Sequence, residues 1–180
     1  MPLTPFHYPI AYLIYKVDNR LSLPALIVGA MFPDLEIPFI IMLLGTQVPD
    51  RMILHSLLGA VTLGALLSMI VTNLLYPPII SPLFKIEKRK IQAKCKLSPS
   101  LFISALLGNI SHVLLDITTH LYNPIFWPFL QTNENLGVVC NFLGGPENAS
   151  LIVHTAMTIL FLIIVATNTD KNLKERLLIG

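Results

Sequence analysis

The stretch SPSLFISALLGNISHVLLDITTH, residues 98–120, decides the fold class. It is long and apolar enough to cross a membrane as one helix. Three ionisable side chains, His112, Asp116 and His120, follow one another at intervals of four residues. On a helix each such step turns about 40° and rises about 6 Å, so the three side chains would form one polar stripe. Ionisable groups in a span are costly and usually functional, which makes this stripe the first candidate site.

The composition of the whole chain is typical of a membrane protein. Of its 180 residues, 54% are hydrophobic and only 12% are charged, and the mean hydropathy is +0.71. A soluble domain carries about twice this share of charge. We predict an all-α integral membrane bundle that forms a single membrane domain over residues 1–180. It has about four spans and a short N-terminal helix over Phe6–Val17: the spans are Leu21–Leu44, broken at Pro33-Asp34, then Ile53–Tyr76, Ser98–His120 and Asn148–Thr167.

The basic residues orient the predicted spans. Of the twelve Lys and Arg residues, six lie between Lys85 and Lys96, three lie in the tail after residue 170, and two are Lys16 and Arg20. Arg51 is the one outlier on the opposite side. The positive-inside rule then predicts a multi-pass protein of the cell membrane with the basic loop 85–96 and the C-terminus in the cytoplasm. The two cysteines, Cys95 and Cys140, fall on opposite sides of the bilayer and predict no disulfide.

Other ionisable residues lie near the remaining apolar segments: His7, Asp34, His55 and His154. Counted at about 1.5 Å per residue, they can reach the level of His112 and Asp116 in the outer half of the bundle. A divalent ion held by neutral His and ionised Asp would offset the cost of placing these groups in a membrane. We therefore expect one metal centre at this level.

Each candidate also has a purely structural interpretation. A lone His154 is more typical of a hydrogen bond between helices, and His7 could simply start a helix. Asp34 could cap the helix that follows Pro33. Glu36 could be solvated, paired with Arg51, or a catalytic carboxylate.

Four sequence motifs resemble, in order, the membrane-bound metal-dependent hydrolase family, which includes SOS-regulated inner-membrane proteins and related proteins of unknown function. They are the N-terminal MPLTPFH of residues 1–7, Pro33-Asp34, HSLLG of residues 55–59, and SHVLLD of residues 111–116 continued to His120. The resemblance covers roughly the first 130 residues. That family is similar, more distantly, to zinc-dependent phospholipase C and to single-strand-specific zinc nucleases.

The resemblance implies a helical fold that holds a divalent metal, zinc by preference, and hydrolyses a phosphoester. Matched position by position, the metal ligands would be five residues, with His120 as a possible sixth: His7, Asp34, His55, His112 and Asp116. The family often shows a second His shortly before the His-Ser pair. Here that stretch reads DRMILH, residues 50–55, so Asp50 could substitute as an oxygen ligand, or the site could hold fewer ions.

The expected function is hydrolysis of a phosphoester by a metal-activated water. Asp34 and Asp116 are the first candidates for the catalytic base, with Glu36 as another. Zinc suits the His and Asp donors, and manganese or magnesium would suit a site richer in carboxylates. A site within the bilayer favours a lipid or a lipid-linked substrate, so membrane lipids are the expected partners. A net charge of +2 argues against a nucleic-acid partner.

The alternative is a non-catalytic membrane protein. It could be a metal-stabilised structural or assembly module, in which polar residues tie spans together. An ion or proton transporter would need polar residues that continue to the cytoplasmic side, and the inner halves of the spans are mostly apolar.

Overall fold

The computed structural model describes residues 4–45, 51–129, 137–169 and 172–180. Within these ranges the chain is all-helical, as predicted, and contains no strand. Its α-helices are α1 (Tyr8–Val17), α2 (Leu23–Met31), α3 (Glu36–Leu44), α4 (Leu57–Gly59), α5 (Ala65–Leu74), α6 (Tyr76–Phe84), α7 (Lys88–Lys94), α8 (Pro99–Asp116), α9 (Val138–Phe142), α10 (Pro146–Ala166) and α11 (Leu173–Leu178).

Four helical stretches in the described part of the chain are long and apolar enough to cross a membrane: Leu23–Leu44, Leu57–Leu74, Pro99–Asp116 and Pro146–Ala166. They correspond to the four predicted spans, and their number and order confirm the membrane-bundle prediction. The first is interrupted by the 3-10 turn Pro33–Leu35, at the predicted break. Proline lacks the backbone N–H that a continuous helix would use, so the break follows from Pro33.

Helices α2 and α8 form the centre of the bundle, and two glycines allow their backbones to touch. A Cβ on Gly108 would lie 2.6 Å from the carbonyl oxygen of Leu26 and 2.9 Å from the amide nitrogen of Ala30. A Cβ on Gly29 would likewise meet the carbonyl oxygen of Ala105. Close approach through small residues is a common way to pack helices that have no hydrophobic driving force in lipid. It brings the end of α2 directly against the last two turns of α8.

The second span differs from the prediction at its start. Its helix begins at Leu57, not Ile53, because residues 51–56 form a turn before it. The Ser56 hydroxyl caps the helix by accepting a hydrogen bond from the Gly59 amide at 2.9 Å. Helix α4 then continues through a π-helical segment, Ala60–Gly64, into α5. His55 therefore sits on a turn at the mouth of this span.

The third span is also shorter than predicted. Helix α8 ends at Asp116, and residues 117–119 form a turn. His120 therefore lies beyond the helix that carries His112 and Asp116, and the three residues do not form one continuous helical stripe. The following apolar segment folds back onto the bundle. Its buried Ile125 packs with the second and third spans and accepts a hydrogen bond from the Leu57 amide at 3.0 Å.

The chain termini pack against each other through α1, α10 and α11. The Tyr12 hydroxyl donates to Asn168 at 3.0 Å, just after α10. The Tyr8 hydroxyl donates to the carbonyl oxygen of Leu177 at 2.8 Å, and the Tyr76 hydroxyl donates to that of Leu178 at 2.7 Å. The contacts of Tyr8 and Tyr12 join α1 to α11 and to the end of α10, and the turn that precedes α1, Thr4–His7, lies against α2 and α8.

Candidate metal centre

Four side chains bring ligand-type atoms together inside the bundle: Asp34, His55, His112 and Asp116. One ligand atom from each lies within 4.8 Å of every other. They come from three parts of the fold, namely the 3-10 turn after α2, the turn before α4, and the end of α8. The two His and Asp116 are buried, and the Asp34 side chain keeps 15% of its surface exposed. These described residues form a group that could hold a metal ion.

His112 is oriented by the backbone of α2. Its Nδ1 donates a hydrogen bond to the carbonyl oxygen of Ala30 at 2.8 Å. Because Nδ1 carries the proton, Nε2 has a free lone pair, and it points to Asp34 Oδ1 at 3.5 Å and to Asp116 Oδ2 at 3.6 Å. Among the described residues Nε2 has no hydrogen-bond partner. A carbonyl that fixes the tautomer of a His in this way is typical of the surroundings of a metal ligand.

His55 is oriented in the same way as His112, but its Nδ1 donates to a carboxylate rather than to a backbone carbonyl. Its Nδ1 donates to Glu36 Oε2 at 3.0 Å, so Nε2 presents its lone pair 3.7 Å from Asp34 Oδ1 and 3.8 Å from Asp116 Oδ2. Burial alone would lower the pKa of His55, but the carboxylates of Asp34 and Glu36 raise it above its ordinary value. The carboxylates around His55 thus favour a positive charge at this point, which either a proton or a metal ion can supply.

The geometry fits a metal ion better than direct hydrogen bonds. The four distances from Nε2 to the carboxylate oxygens, 3.5 to 3.8 Å, are too long for hydrogen bonds. Ligands placed about 2.0–2.1 Å from a tetrahedral zinc ion lie about 3.3 Å apart, close to this spacing. Each buried polar atom left unpaired costs about 1–3 kcal/mol, and coordination of one ion would satisfy several of them together. The donor set and its spacing therefore suit a divalent ion.

His7 lies on the rim of this group. Its ring stacks on the His112 ring with centroids 4.0 Å apart, and its Nε2 lies 3.7 Å from Asp116 Oδ1. Burial, with help from the neighbouring His112, lowers the pKa of His7 to about 3, so the ring is neutral and able to act as a ligand. In the same turn, the Thr4 hydroxyl donates to Asp34 Oδ2 at 2.6 Å. The N-terminal turn thus contacts both carboxylates of the group.

Residues 1–176 match a protein family that is described as a domain of unknown function, DUF4184. The chain belongs to the DUF4184 family. No curated protein and no solved structure matches it.

In this DUF4184 protein, His120 and His154 stand outside the four-residue group. The Nδ1 of His120 bonds to the backbone carbonyl of Asp116 at 2.9 Å and lies 3.9 Å from its carboxylate, so His120 borders the centre. His154 bonds to the Ser150 carbonyl oxygen at 2.6 Å, and its ring packs edge-on against Phe6. Asp50, considered above as a substitute ligand, lies outside the described residues.

Arg51 is not among the site residues predicted from the sequence, whereas Glu36 is predicted there as a possible catalytic carboxylate. Arg51 has a side chain only 7% exposed, and its Nε lies 3.5 Å from Asp116 Oδ2. Its signal in the sequence was its isolation, since it is the one basic residue far from the basic clusters. Glu36 binds His55 and accepts hydrogen bonds from the amides of Met52, Ile53 and Leu54, at 2.7 to 3.2 Å. It is therefore neither solvated nor a free base, and it holds the turn that carries both Arg51 and His55.

Proposed function

We propose that this protein is a membrane-bound, metal-dependent hydrolase that acts on a phosphoester. The observation that carries the proposal is the pair of lone-pair nitrogens, His55 Nε2 and His112 Nε2, that are buried inside the bundle and face Asp34 and Asp116. Such a site is expensive to build in a membrane protein, and metal-assisted hydrolysis is a function that needs it. The resemblance to membrane-bound metal-dependent hydrolases supports the same reaction class.

In this proposal His55, His112 and Asp116 hold the ion, and His7 completes or borders its ligand shell. The ion would lower the pKa of a water molecule and stabilise charge on the phosphoryl oxygens. Asp34 is the best placed of the acidic residues to accept a proton, because its side chain is the one in the group with appreciable exposure. The Thr4 hydroxyl fixes the orientation of that carboxylate through Oδ2 and leaves Oδ1 facing the two His rings. Asp34 is therefore the proposed general base.

Zinc is the metal that we propose, because two imidazoles and one carboxylate with an open position for water suit it well. Manganese or magnesium is favoured only if oxygen ligands dominate the shell.

The substrate that we propose is a lipid or lipid-linked phosphoester. His112 lies thirteen residues after the start of α8, or about 20 Å along the helix, so the centre is within the span. A polar substrate in free solution would have to enter this apolar bundle, whereas a lipid could approach it from within the bilayer. From the basic residues of α7 and of the C-terminal tail, we propose that this end of the bundle faces the cytoplasm and that the centre lies in the outer half of the cell membrane.

A metal-stabilised structural module is the second candidate. It is favoured by the origin of the ligands, because an ion that joins three separate parts of the fold would lock them together. Metal binding alone does not separate the two candidates, so the deciding measurement is activity of the metal-loaded protein.

The experiment uses protein purified in detergent without chelator. We expect inductively coupled plasma mass spectrometry to detect a bound divalent metal. We also expect metal-dependent hydrolysis of chromogenic phosphodiesters, phosphomonoesters or phospholipids. Replacing His112 by Ala should remove metal and activity together, whereas His154→Ala, a His outside the ligand group, should retain both. A folded, metal-loaded protein that hydrolyses none of these substrates would favour the structural module. Protein that binds no divalent metal would reject both candidates.

A further inference from the structure

The guanidinium of Arg51 lies beside the metal centre, close to the carboxylate of Asp116. Its Nε is 3.5 Å from Asp116 Oδ2, the same oxygen that lies 3.6 Å from His112 Nε2 and 3.8 Å from His55 Nε2. One carboxylate oxygen thus faces two ligand nitrogens and an arginine. The Arg51 side chain is almost completely buried, so solvent does not screen its charge.

The charges around the centre match one divalent ion. Among the described residues that meet there, Asp34, Asp116 and Glu36 carry three negative charges and Arg51 carries one positive charge. The remainder is −2, which one divalent ion neutralises. Set against the charges of these described residues, a second divalent ion would leave a buried excess of positive charge next to an arginine, which does not lose its proton in proteins.

Arg51 is also held in place, because it directly precedes a fixed turn. Glu36 accepts hydrogen bonds from the three following amides, those of Met52, Ile53 and Leu54. The same carboxylate binds His55, so Arg51 and a proposed metal ligand are positioned by one acidic residue. A guanidinium fixed in this way is suited to bind the oxygens of a phosphoryl group, whose geometry its planar fork of N–H groups matches.

We infer that the centre holds a single divalent ion and that Arg51 supplies the second positive charge, binding the phosphoryl anion of the substrate together with the ion. This inference rests on the proposed function, since it names the group that would recognise the phosphoester. It assigns Arg51 a role in substrate binding beyond that of a counter-charge for Asp116. It also gives a reason why the stretch before His55 lacks the second His expected from the family resemblance, because a second metal site is not needed.

The test measures metal content and anion binding separately. Wild-type protein and the variants Arg51→Gln and Arg51→Lys are loaded with zinc in detergent, and inorganic phosphate is titrated by calorimetry. Arg89→Gln, which changes an exposed arginine on α7, is the matched control. We expect one zinc ion per wild-type chain, and phosphate binding that requires zinc. Arg51→Gln should keep the ion but weaken phosphate binding at least tenfold, and Arg51→Lys should fall between the two.

Several results would overturn the inference. Two zinc ions per wild-type chain would contradict the charge count. Unchanged phosphate affinity in Arg51→Gln, with zinc retained, would reject the binding role. If Arg51→Gln does not fold, Arg51→Lys decides: loss of zinc in that variant would make Arg51 a structural counter-charge, and a lower phosphate affinity with zinc retained would support the inference.

Failure of the proposed function gives a different pattern. A wild-type protein that binds no zinc contradicts both the function and the inference. One that binds zinc and phosphate through Arg51 but hydrolyses nothing contradicts only the function.

Discussion

The replacement Glu36→Gln tests whether a residue that touches no metal controls the centre. The Glu36 carboxylate accepts four hydrogen bonds, from His55 Nδ1 at 3.0 Å and from the amides of Met52, Ile53 and Leu54 at 2.7 to 3.2 Å. Gln keeps the shape but puts an NH₂ group where one carboxylate oxygen was. That NH₂ group cannot accept, so at least one of the four donors loses its partner.

The expected magnitude follows from these contacts. One buried amide left unpaired costs about 1–3 kcal/mol, and loss of the negative charge weakens the remaining bonds to His55 and the turn. Together we expect a loss of about 2–4 kcal/mol in unfolding free energy. Removing the carboxylate behind a metal-binding His typically lowers metal affinity 10- to 100-fold, and we expect a change in that range.

The assay is zinc titration by competition with a chromogenic chelator, together with thermal unfolding in the same detergent. Glu87→Gln, an exposed carboxylate at the start of α7, is the matched control and should change stability by less than about 0.5 kcal/mol. If Glu36→Gln bound zinc as tightly as the wild type, the proposed orientation of His55 by Glu36 would be refuted.

Three further predictions concern the metal, the packing and the orientation. Protein kept in metal at about 1,000 times the dissociation constant should unfold roughly 10 °C higher than protein stripped of its ion with a chelator. The measurement is fluorescence during heating, and equal unfolding temperatures would argue against a coordinated ion. Gly108→Ala should lower both the unfolding temperature and the zinc affinity, because its Cβ would meet the backbone of α2, whereas Leu114→Ala on an exposed face of α8 should retain zinc affinity. In intact cells, an impermeant thiol reagent should label a cysteine introduced at Phe142 and miss one introduced at Lys88, and the reverse pattern would invert the proposed orientation. Both positions are exposed, unlike the two buried native cysteines.

The spans could be predicted from the sequence because the features that define them are local. Length, hydropathy and the proline at position 33 predicted four spans and the break in the first. The convergence of the four-residue group also has a local component, since the four-residue spacing of His112 and Asp116 places both on one face of α8. The depth at which Asp34 and His55 could join them followed from counting residues along their spans.

The environment of the centre could not be predicted in the same way, because it depends on how the turn of residues 51–56 packs against Glu36. Residues 51–56 were assigned partly to a helix, yet Glu36 captures three of their amide groups and holds them as a turn. No periodicity in the sequence reports that contact, which joins residues sixteen to eighteen positions apart. The inward position of Arg51 and the role of Glu36 both follow from it.

The close contact of α2 and α8 links the packing of the bundle to the chemistry of the centre. Gly108 lets the backbones touch, and this contact brings the carbonyl oxygen of Ala30 to 2.8 Å from His112 Nδ1. That hydrogen bond fixes the proton on Nδ1 and turns Nε2 towards Asp34, which lies just four residues beyond Ala30. A wider separation of the helices would remove the acceptor, free the ring to adopt the other tautomer, and move Asp34 away from it. The added methyl group of Gly108→Ala would meet the backbone of α2, so reduced zinc affinity in this variant would show that the helix contact itself sets the ligand geometry.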